Sequence, residues 1–232
     1  MSARRVPDGP EGRTEAARVL RDGGIVAFPT DTVYGIAVAL DTAGGIERLF
    51  AAKSRPLDRA IAVLVSDERQ AAELGELGQT ASALASAFWP GGLTLVVHRR
   101  ADRALPEALA GDAEPGAAES GDGTGSAARA ATVGLRVPDH AAPRALAAAV
   151  GPLATTSANR SGEPEARDAT ELETQLGDAI DLILDGGPSR GGPPSTVVDT
   201  TTDPVRILRH GAISDEAIDG CLASADLPGV GR

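Results

Sequence analysis

Lysine occurs once in this chain, at Lys53, among 22 basic residues; asparagine occurs once, at Asn159, and tyrosine once, at Tyr34. A sequence that uses arginine almost everywhere else retains a lysine either by chance or because a compact ammonium has no substitute there. For any single residue both explanations stand, but all three lie in stretches rich in Gly, Pro, Ser and Thr. Lys53 and Arg55 are two residues apart beside Pro56, and a point-charge ammonium next to a planar guanidinium fork suits a polyphosphate. The plainer alternative is a solvated basic pair stabilised at a helix end, and spacing alone favours it. Ser157-Ala158-Asn159, followed by Ser161-Gly162, offers hydroxyls, a carboxamide and loop amides to phosphate oxygens, metal-bound water or a sugar. Taken alone, it reads more simply as an ordinary turn.

Several familiar chemistries are not written here. There is no G-x-x-x-x-G-K-[ST] phosphate loop and no G-x-G-x-x-G fingerprint, which argues against a standard kinase, ATPase or dinucleotide-binding dehydrogenase. His98, His140 and His210 lack the spacing of metal ligands, so no protein-held metal is expected. Ser157 and Ser195 lack a nucleophile elbow. The single cysteine, Cys221, excludes an internal disulfide and is expected to pack rather than react. A formal net charge of −11 argues against a broad basic surface for nucleic acid, since neutralising phosphates takes clustered Lys and Arg; any anion site must be local. No apolar run is long enough for a signal peptide or a membrane span. A soluble protein of a reducing, cytoplasmic compartment is the expectation.

The elements that must position these residues follow from periodicity. Glu15 to Arg21 reads as a short helix closed by Gly23-Gly24, and Ile25 to Phe28 as a buried strand ended by Pro29. Ile46, Leu49, Phe50 and Lys53 recur at helical spacing, placing Lys53 at or just past the last turn of a helix that faces the core. Ile61 to Val65 and Leu93 to His98 read as strands, with helical stretches over Asp67 to Leu74 and Thr80 to Phe88 between them. From Gly111 to Ala131 there is no Leu, Ile, Val or Phe, so a disordered surface insertion is expected. Strands at Val133 to Val137 and Leu153 to Thr156 flank a helix from about Ala142 to Val150. Thr170 is expected to cap the next helix and Ser214 the last one. Further strands fall at Leu182 to Leu184, Thr196 to Val198 and Val205 to Leu208, some pairing antiparallel. The interleaving predicts an α/β fold, in one domain of residues 10–218 with the insertion at about 111–131 and a tail at 219–232. The polar clusters at 29–35, 53–56, 155–162 and 185–196 each abut an element end, where α/β proteins place ligands, so they are expected to share a cleft.

In order and spacing, the stretches FPTDTVYG (28–35), KSRP (53–56), FWPGGLTLVV (88–97), TVGLRVPDH (132–140), TSANRSGEP (156–164), STVVD (195–199) and ILRHGAI (207–213) resemble the Sua5/YciO/YrdC family. The resemblance runs from about residue 15 to 215. It implies a twisted mixed sheet with flanking helices and a large open cavity. It also implies the condensation of L-threonine, bicarbonate and ATP, with Mg2+, to threonylcarbamoyl-AMP and pyrophosphate, a nucleotidyl transfer. A partner transferase would pass the threonylcarbamoyl group to adenosine 37 of tRNA, leaving direct tRNA contact by this chain open.

The family's Lys-x-Arg and Ser-x-Asn signatures fall on Lys53, Arg55, Ser157 and Asn159. By the same resemblance ATP would meet Arg55, Arg59, Thr132, Ser157, Glu165 and Ser195, while threonine would meet Thr32, Arg136, Thr155 and Asp181, with the Arg136 guanidinium forked onto its carboxylate. Two positions depart from the pattern: Leu64 stands where some relatives have a threonine-contacting histidine, and Glu165 where a nucleotide-contacting serine is common. A carboxylate there would repel phosphate unless a cation intervened. A non-catalytic RNA- or nucleotide-binding module of the same fold is the alternative, as is a different carbamoyl-adenylate chemistry, although the acylphosphatase and zinc-finger segments of the larger carbamoyl-transfer proteins are not seen.

Overall fold

The computed structural model describes residues 3–53, 61–106, 109, 132–160, 162–189 and 191–231. The expected insertion at 111–131 lies outside them. Ten strands are formed: β1 (Arg4–Pro7), β2 (Val26–Phe28), β3 (Gly35–Ala39), β4 (Ala62–Leu64), β5 (Leu93–His98), β6 (Thr132–Arg136), β7 (Leu153–Ser157), β8 (Leu182–Asp185), β9 (Thr196–Asp199) and β10 (Arg206–Arg209). They make one mixed sheet in the order β1-β8-β2-β3-β7-β4-β6-β5-β9-β10. The helices among the described residues are α1 (Pro10–Arg21), α2 (Gly45–Lys53), α3 (Glu68–Ala72), α4 (Gln79–Phe88), α5 (Ala141–Val150), α6 (Ala169–Leu176) and α7 (Asp215–Ser224). The α/β expectation is met, and the late strands β9 and β10 pair antiparallel.

The period-2 geometry of a strand sends alternate side chains to opposite faces, and here it divides the core in two. On the first face, Ala27, Ile36, Val38, Val63, Leu95, Val97, Val133 and Leu135 join one apolar cluster with Leu49 of α2, Leu84 of α4, Leu172 of α6 and Ile218 of α7. On the second face, Val26, Phe28, Ala37, Leu64, Leu153 and Leu182 pack with Leu20 of α1 and Leu146 of α5. Helices α1 and α5 also touch each other. They cover the β8, β2, β3 side of that face. The remaining second-face positions, among them Thr94, Val96, Gly134, Arg136 and Val197, line a cavity instead. The uncovered part of the sheet is therefore the floor of the site.

The differences from the sequence reading have local causes. Strand β3 was not anticipated because the polar loop before it was carried through to Gly35; the five-residue GIAVA segment is buried throughout and too short to show a period. Strand β1 pairs in parallel with β8 at the sheet edge, yet its two arginines are exposed, so it carries no alternating apolar pattern. The fold thus begins before residue 10. At the other end α7 runs to Ser224, and a bridge joins Val205 to Val230. The cap of α6 is Asp168, whose carboxylate accepts from the amides of Thr170 and Glu171; Thr170 sits inside the first turn. Ser214 does cap α7, accepting from Ala217 N.

Candidate active site

The cavity floor is lined by residues from β3, β4, β5, β6, β7 and β9, and three polar clusters rise around it. The first is built on Lys53. Apolar residues at helical spacing turn the last residue of α2 inward, leaving Lys53 only 2% exposed. Its Nζ donates to Ser157 O (2.5 Å), Asn159 Oδ1 (3.0 Å), Ser157 Oγ (3.3 Å) and Thr156 Oγ1 (3.3 Å). A buried charge is tolerated only when such dipoles replace its water. Ser157 Oγ donates to Asn159 Oδ1 (2.7 Å), and the Asn159 amide donates to the carbonyls of Arg160 and Glu163, which fixes which way the carboxamide faces. Tyr34 supports this cluster from below: its carbonyl accepts from Ala158 N, and its hydroxyl donates to Gly187 O (2.7 Å). Burial pushes that phenol up to about 12, so it stays a donor. Tyr34 is thereby tied to the 185–196 segment, its hydroxyl also accepting from Gly186 N (3.2 Å), as the shared-cleft expectation required.

The second cluster centres on Arg136, the last residue of β6. Its Nε donates to Gly91 O (2.9 Å), Nη1 to Thr32 Oγ1 (3.3 Å) and Nη2 to Asp31 Oδ1 (2.7 Å). Both partners of the ion pair are shielded, at 8% and 10% side-chain exposure for Arg136 and Asp31. Burial holds the guanidinium below its ordinary value against the pull of Asp31, and the like charge of Arg209 adds to the depression; an arginine nevertheless remains a cation. The loop that presents Asp31 and Thr32 is held by Thr30, whose hydroxyl accepts from the amides of Thr32 and Val33 and donates to Val33 O (2.6 Å). Among the described residues three of the five Arg136 N–H groups are thus committed, leaving one on each terminal nitrogen.

The third cluster is Ser195, Thr94 and Arg209. Ser195 Oγ lies 2.8 Å from Thr94 Oγ1, and Arg209 Nη2 donates both to Ser195 Oγ and to Ser195 O, each at 3.0 Å, with Nε on the same carbonyl at 3.1 Å. Gly211 allows this: a Cβ there would stand 2.2 Å from Pro194 O, so only glycine lets the segment after β10 press against residues 194–196.

Of the residues expected to hold substrates, Thr32, Arg136, Thr155, Ser157, Glu165 and Ser195 line this one cavity. Lys53 and Asn159 join it through Ser157. Thr132 begins β6 and, by alternation, shares the face of Gly134 and Arg136. Leu64 lies on the wall. Arg55 and Arg59 fall outside the described residues, as does Ser161. Asp181 is not brought in. It precedes β8, parallel to β2, and accepts from Ile25 N (2.7 Å) and Arg48 Nη2 (3.3 Å), at the opposite end of β2 from the Thr30–Thr32 loop. The structure thus places Asp181 away from the cavity lining, with its Oδ2 bonded to the turn before β2. Sequence reasoning missed Asp31, Thr94 and Arg209. Asp31 was visible between two threonines, but its partner is 105 positions away, and one arginine among so many carries no signal.

The fold and these clusters define an α/β protein with a preformed, cation-lined cleft. Comparison with known proteins narrows this. The Sua5/YciO/YrdC family model, described as "Telomere recombination", matches residues 18–211, and the chain belongs to that family. It is similar to the threonylcarbamoyl-AMP synthase of Bacillus subtilis, at 34% identity over 90% of this chain and 56% of the relative. A putative threonylcarbamoyl-AMP synthase of Mycobacterium tuberculosis is 37% identical over 89% of this chain and 87% of its own length. The crystal structure of Pyrococcus abyssi Sua5 complexed with L-threonine superposes with a TM-score of 0.81 at 31% identity, over 99% of this chain and 62% of that one. The chain therefore spans little more than half the length of the Bacillus relative. No helix among the described residues is long and apolar enough to cross a membrane.

Proposed function

We propose that this chain is an L-threonylcarbamoyladenylate synthase, a nucleotidyltransferase that converts L-threonine, bicarbonate and ATP to threonylcarbamoyl-AMP and pyrophosphate for tRNA modification. The observation that carries the reading is the convergence of Lys53, Ser157, Asn159 and Arg136 on one cavity. The resemblance makes the first three members of the family's catalytic signature, with Ser157 also at the nucleotide, and gives the last to threonine, so both substrates would meet there. The naming of relatives as threonylcarbamoyl-AMP synthases and the L-threonine complex of the Pyrococcus protein support it.

In this reading the two free N–H groups of Arg136 take the threonine carboxylate, and Thr32 and Thr155 flank it. The threonine amine adds to CO2 derived from bicarbonate, losing a proton and giving a carbamate, with water as the by-product. A carbamate oxygen then attacks the α-phosphorus of ATP, and the bond to the β-phosphate oxygen breaks as pyrophosphate leaves. No protein nucleophile is required. Lys53 and Ser157 hold and neutralise the phosphates, with Arg55 and Arg59 as further expected contacts, so rate comes from positioning and charge stabilisation. Magnesium arriving with ATP would supply further neutralisation. Such an ion keeps most of its shell as water and phosphate oxygens and takes one or two carboxylates, and Glu165, the carboxylate on the cavity wall, fits that need. This also gives a reason for an acid where phosphate binds. The product would pass to a partner transferase in the cytoplasm, tRNA meeting that enzyme.

The test is pyrophosphate release from MgATP by the purified chain, with threonine and bicarbonate omitted in turn. Release requiring both is the expected result. ATP binding without such release would overturn the synthase reading in favour of a nucleotide-binding module.

A further inference from the structure

Within the buried stretch of β5, Leu93 to Val97, Thr94 is the one residue that is not aliphatic. It shares the cavity floor with Val96, Gly134 and Val197, where a valine would fill the same space, so packing alone does not account for the hydroxyl. The direction of that hydroxyl is fixed. The Cγ2 methyl faces β6, where a Cβ on Gly134 would stand 3.6 Å from it, and Oγ1 faces β9, 2.8 Å from Ser195 Oγ. Strand β5 lies between those two strands, and a β-branched side chain is stiff at χ1. Thr94 and Ser195 are both buried, at 3% and 5% exposure. A hydroxyl carries one proton and can accept two. Arg209 Nη2 occupies one acceptor position on Ser195 Oγ, and among the described residues Thr94 Oγ1 has Ser195 Oγ as its one partner. The two hydroxyls therefore hold two protons and one mutual bond, which leaves a single proton for a ligand in the cavity that both line.

We infer that Thr94 is a positioning residue: it donates to Ser195 Oγ, fills the second acceptor position there, and so turns the Ser195 proton into the cavity toward a phosphate oxygen of the nucleotide. This rests on the synthase reading, which places Ser195 at ATP and so makes the spare proton that of Ser195 rather than Thr94. With both acceptor positions filled, Ser195 can only donate. A serine free to rotate meets a donor or an acceptor equally well, whereas this one selects an acceptor, as a phosphate oxygen is.

The test is a double-mutant cycle on the full chain, in which wild type, Thr94→Val, Ser195→Ala and the double variant are titrated calorimetrically with ATP, inorganic pyrophosphate and L-threonine separately. Thr94→Val is expected to weaken ATP and pyrophosphate about 3-fold to 10-fold, the worth of one hydrogen bond, and Ser195→Ala at least as much. In the Ser195→Ala background the Thr94 substitution should cost no further phosphate affinity, because Thr94 acts through that hydroxyl alone. Threonine affinity should stay within about 2-fold of wild type throughout, and Thr94→Ser, which keeps the hydroxyl, should restore most of the loss. Unchanged phosphate affinity in Thr94→Val overturns the assignment, whether or not the Tm falls. An equal loss in both backgrounds also overturns it, since Thr94 would then touch the ligand itself. So does a loss shared by threonine, or one that Thr94→Ser does not relieve. Should Thr94→Val not fold, Thr94→Ala carries the same cycle. Wild type that binds ATP without threonine-dependent pyrophosphate release overturns the synthase reading alone, the cycle being read on ATP; wild type binding neither ATP nor pyrophosphate overturns both.

Discussion

Two cations, one lining the cavity and one joined to it through Ser157, are held in different ways. Lys53, at the end of a helix, donates to oxygens of Thr156, Ser157 and Asn159. Arg136, at the end of a strand, is buried against a carboxylate. The first arrangement suits a group that must meet a highly charged polyphosphate. The second suits one that contributes direction more than charge, since its two remaining N–H groups are aimed by three fixed bonds. Under the proposed function, affinity for charge would fall to the helix side and orientation of the small substrate to the strand side.

The comparison is broken most directly at Lys53. Lys53→Met keeps the length of the side chain and removes the ammonium; threonine-dependent pyrophosphate release is expected to fall by about 10²–10³-fold, the effect of deleting one preorganised electrostatic contact. The oxygens left without their donor cost about 1–3 kcal/mol, so circular dichroism should still show a folded chain. A variant that merely raised the KM for threonine would place Lys53 on the wrong side of the comparison. At Asp31 the expected effect is on stability: Asp31→Ala leaves a buried guanidinium uncompensated, at a cost of about 3 kcal/mol, read as a Tm lowered on the order of 10 °C. An unchanged Tm would mean that solvent reaches Arg136. Arg136→Lys is milder, keeping charge and losing the fork. It should raise the KM for threonine about 10-fold, the worth of one charge-assisted hydrogen bond, and leave kcat nearly unchanged. A fall in kcat at constant KM would instead tie Arg136 to the transition state.

How much of this was legible depends on whether the signal was local. The inward turn of Lys53 follows from Ile46, Leu49 and Phe50 at helical spacing. Strands β5 and β6 show as apolar runs because one of their faces is core. That Lys53 would meet Ser157 and Asn159 came from resemblance, since no local pattern joins positions more than a hundred residues apart. Strand β3 was hidden because GIAVA is buried on both faces and so has no alternation to read. Strand β1 was hidden for the converse reason, as its pairing with β8 uses backbone groups that side chains do not announce. Asp31 and Arg209 belong to this second kind: their roles are set by which residues the sheet order brings beside them.

Asp181 gives the smallest expected effect and the sharpest check on the distinction between motif and geometry. Resemblance placed it near threonine, whereas the structure commits it to Ile25 N and Arg48 at the far end of β2. It is about half exposed, at 46%, so its pairing with Arg48 contributes little. The amide of Ile25, once released, can turn to water. Asp181→Ala should therefore change stability by no more than about 0.5–1 kcal/mol and leave the KM for threonine where it was, while Arg136→Lys moves that KM in the same assay. If instead the Asp181 variant raised the KM for threonine as much as the Arg136 variant did, the 181 turn would have to reach the cavity during turnover. The strand side of the site would then extend along the whole length of β2, rather than ending at the loop that carries Asp31 and Thr32.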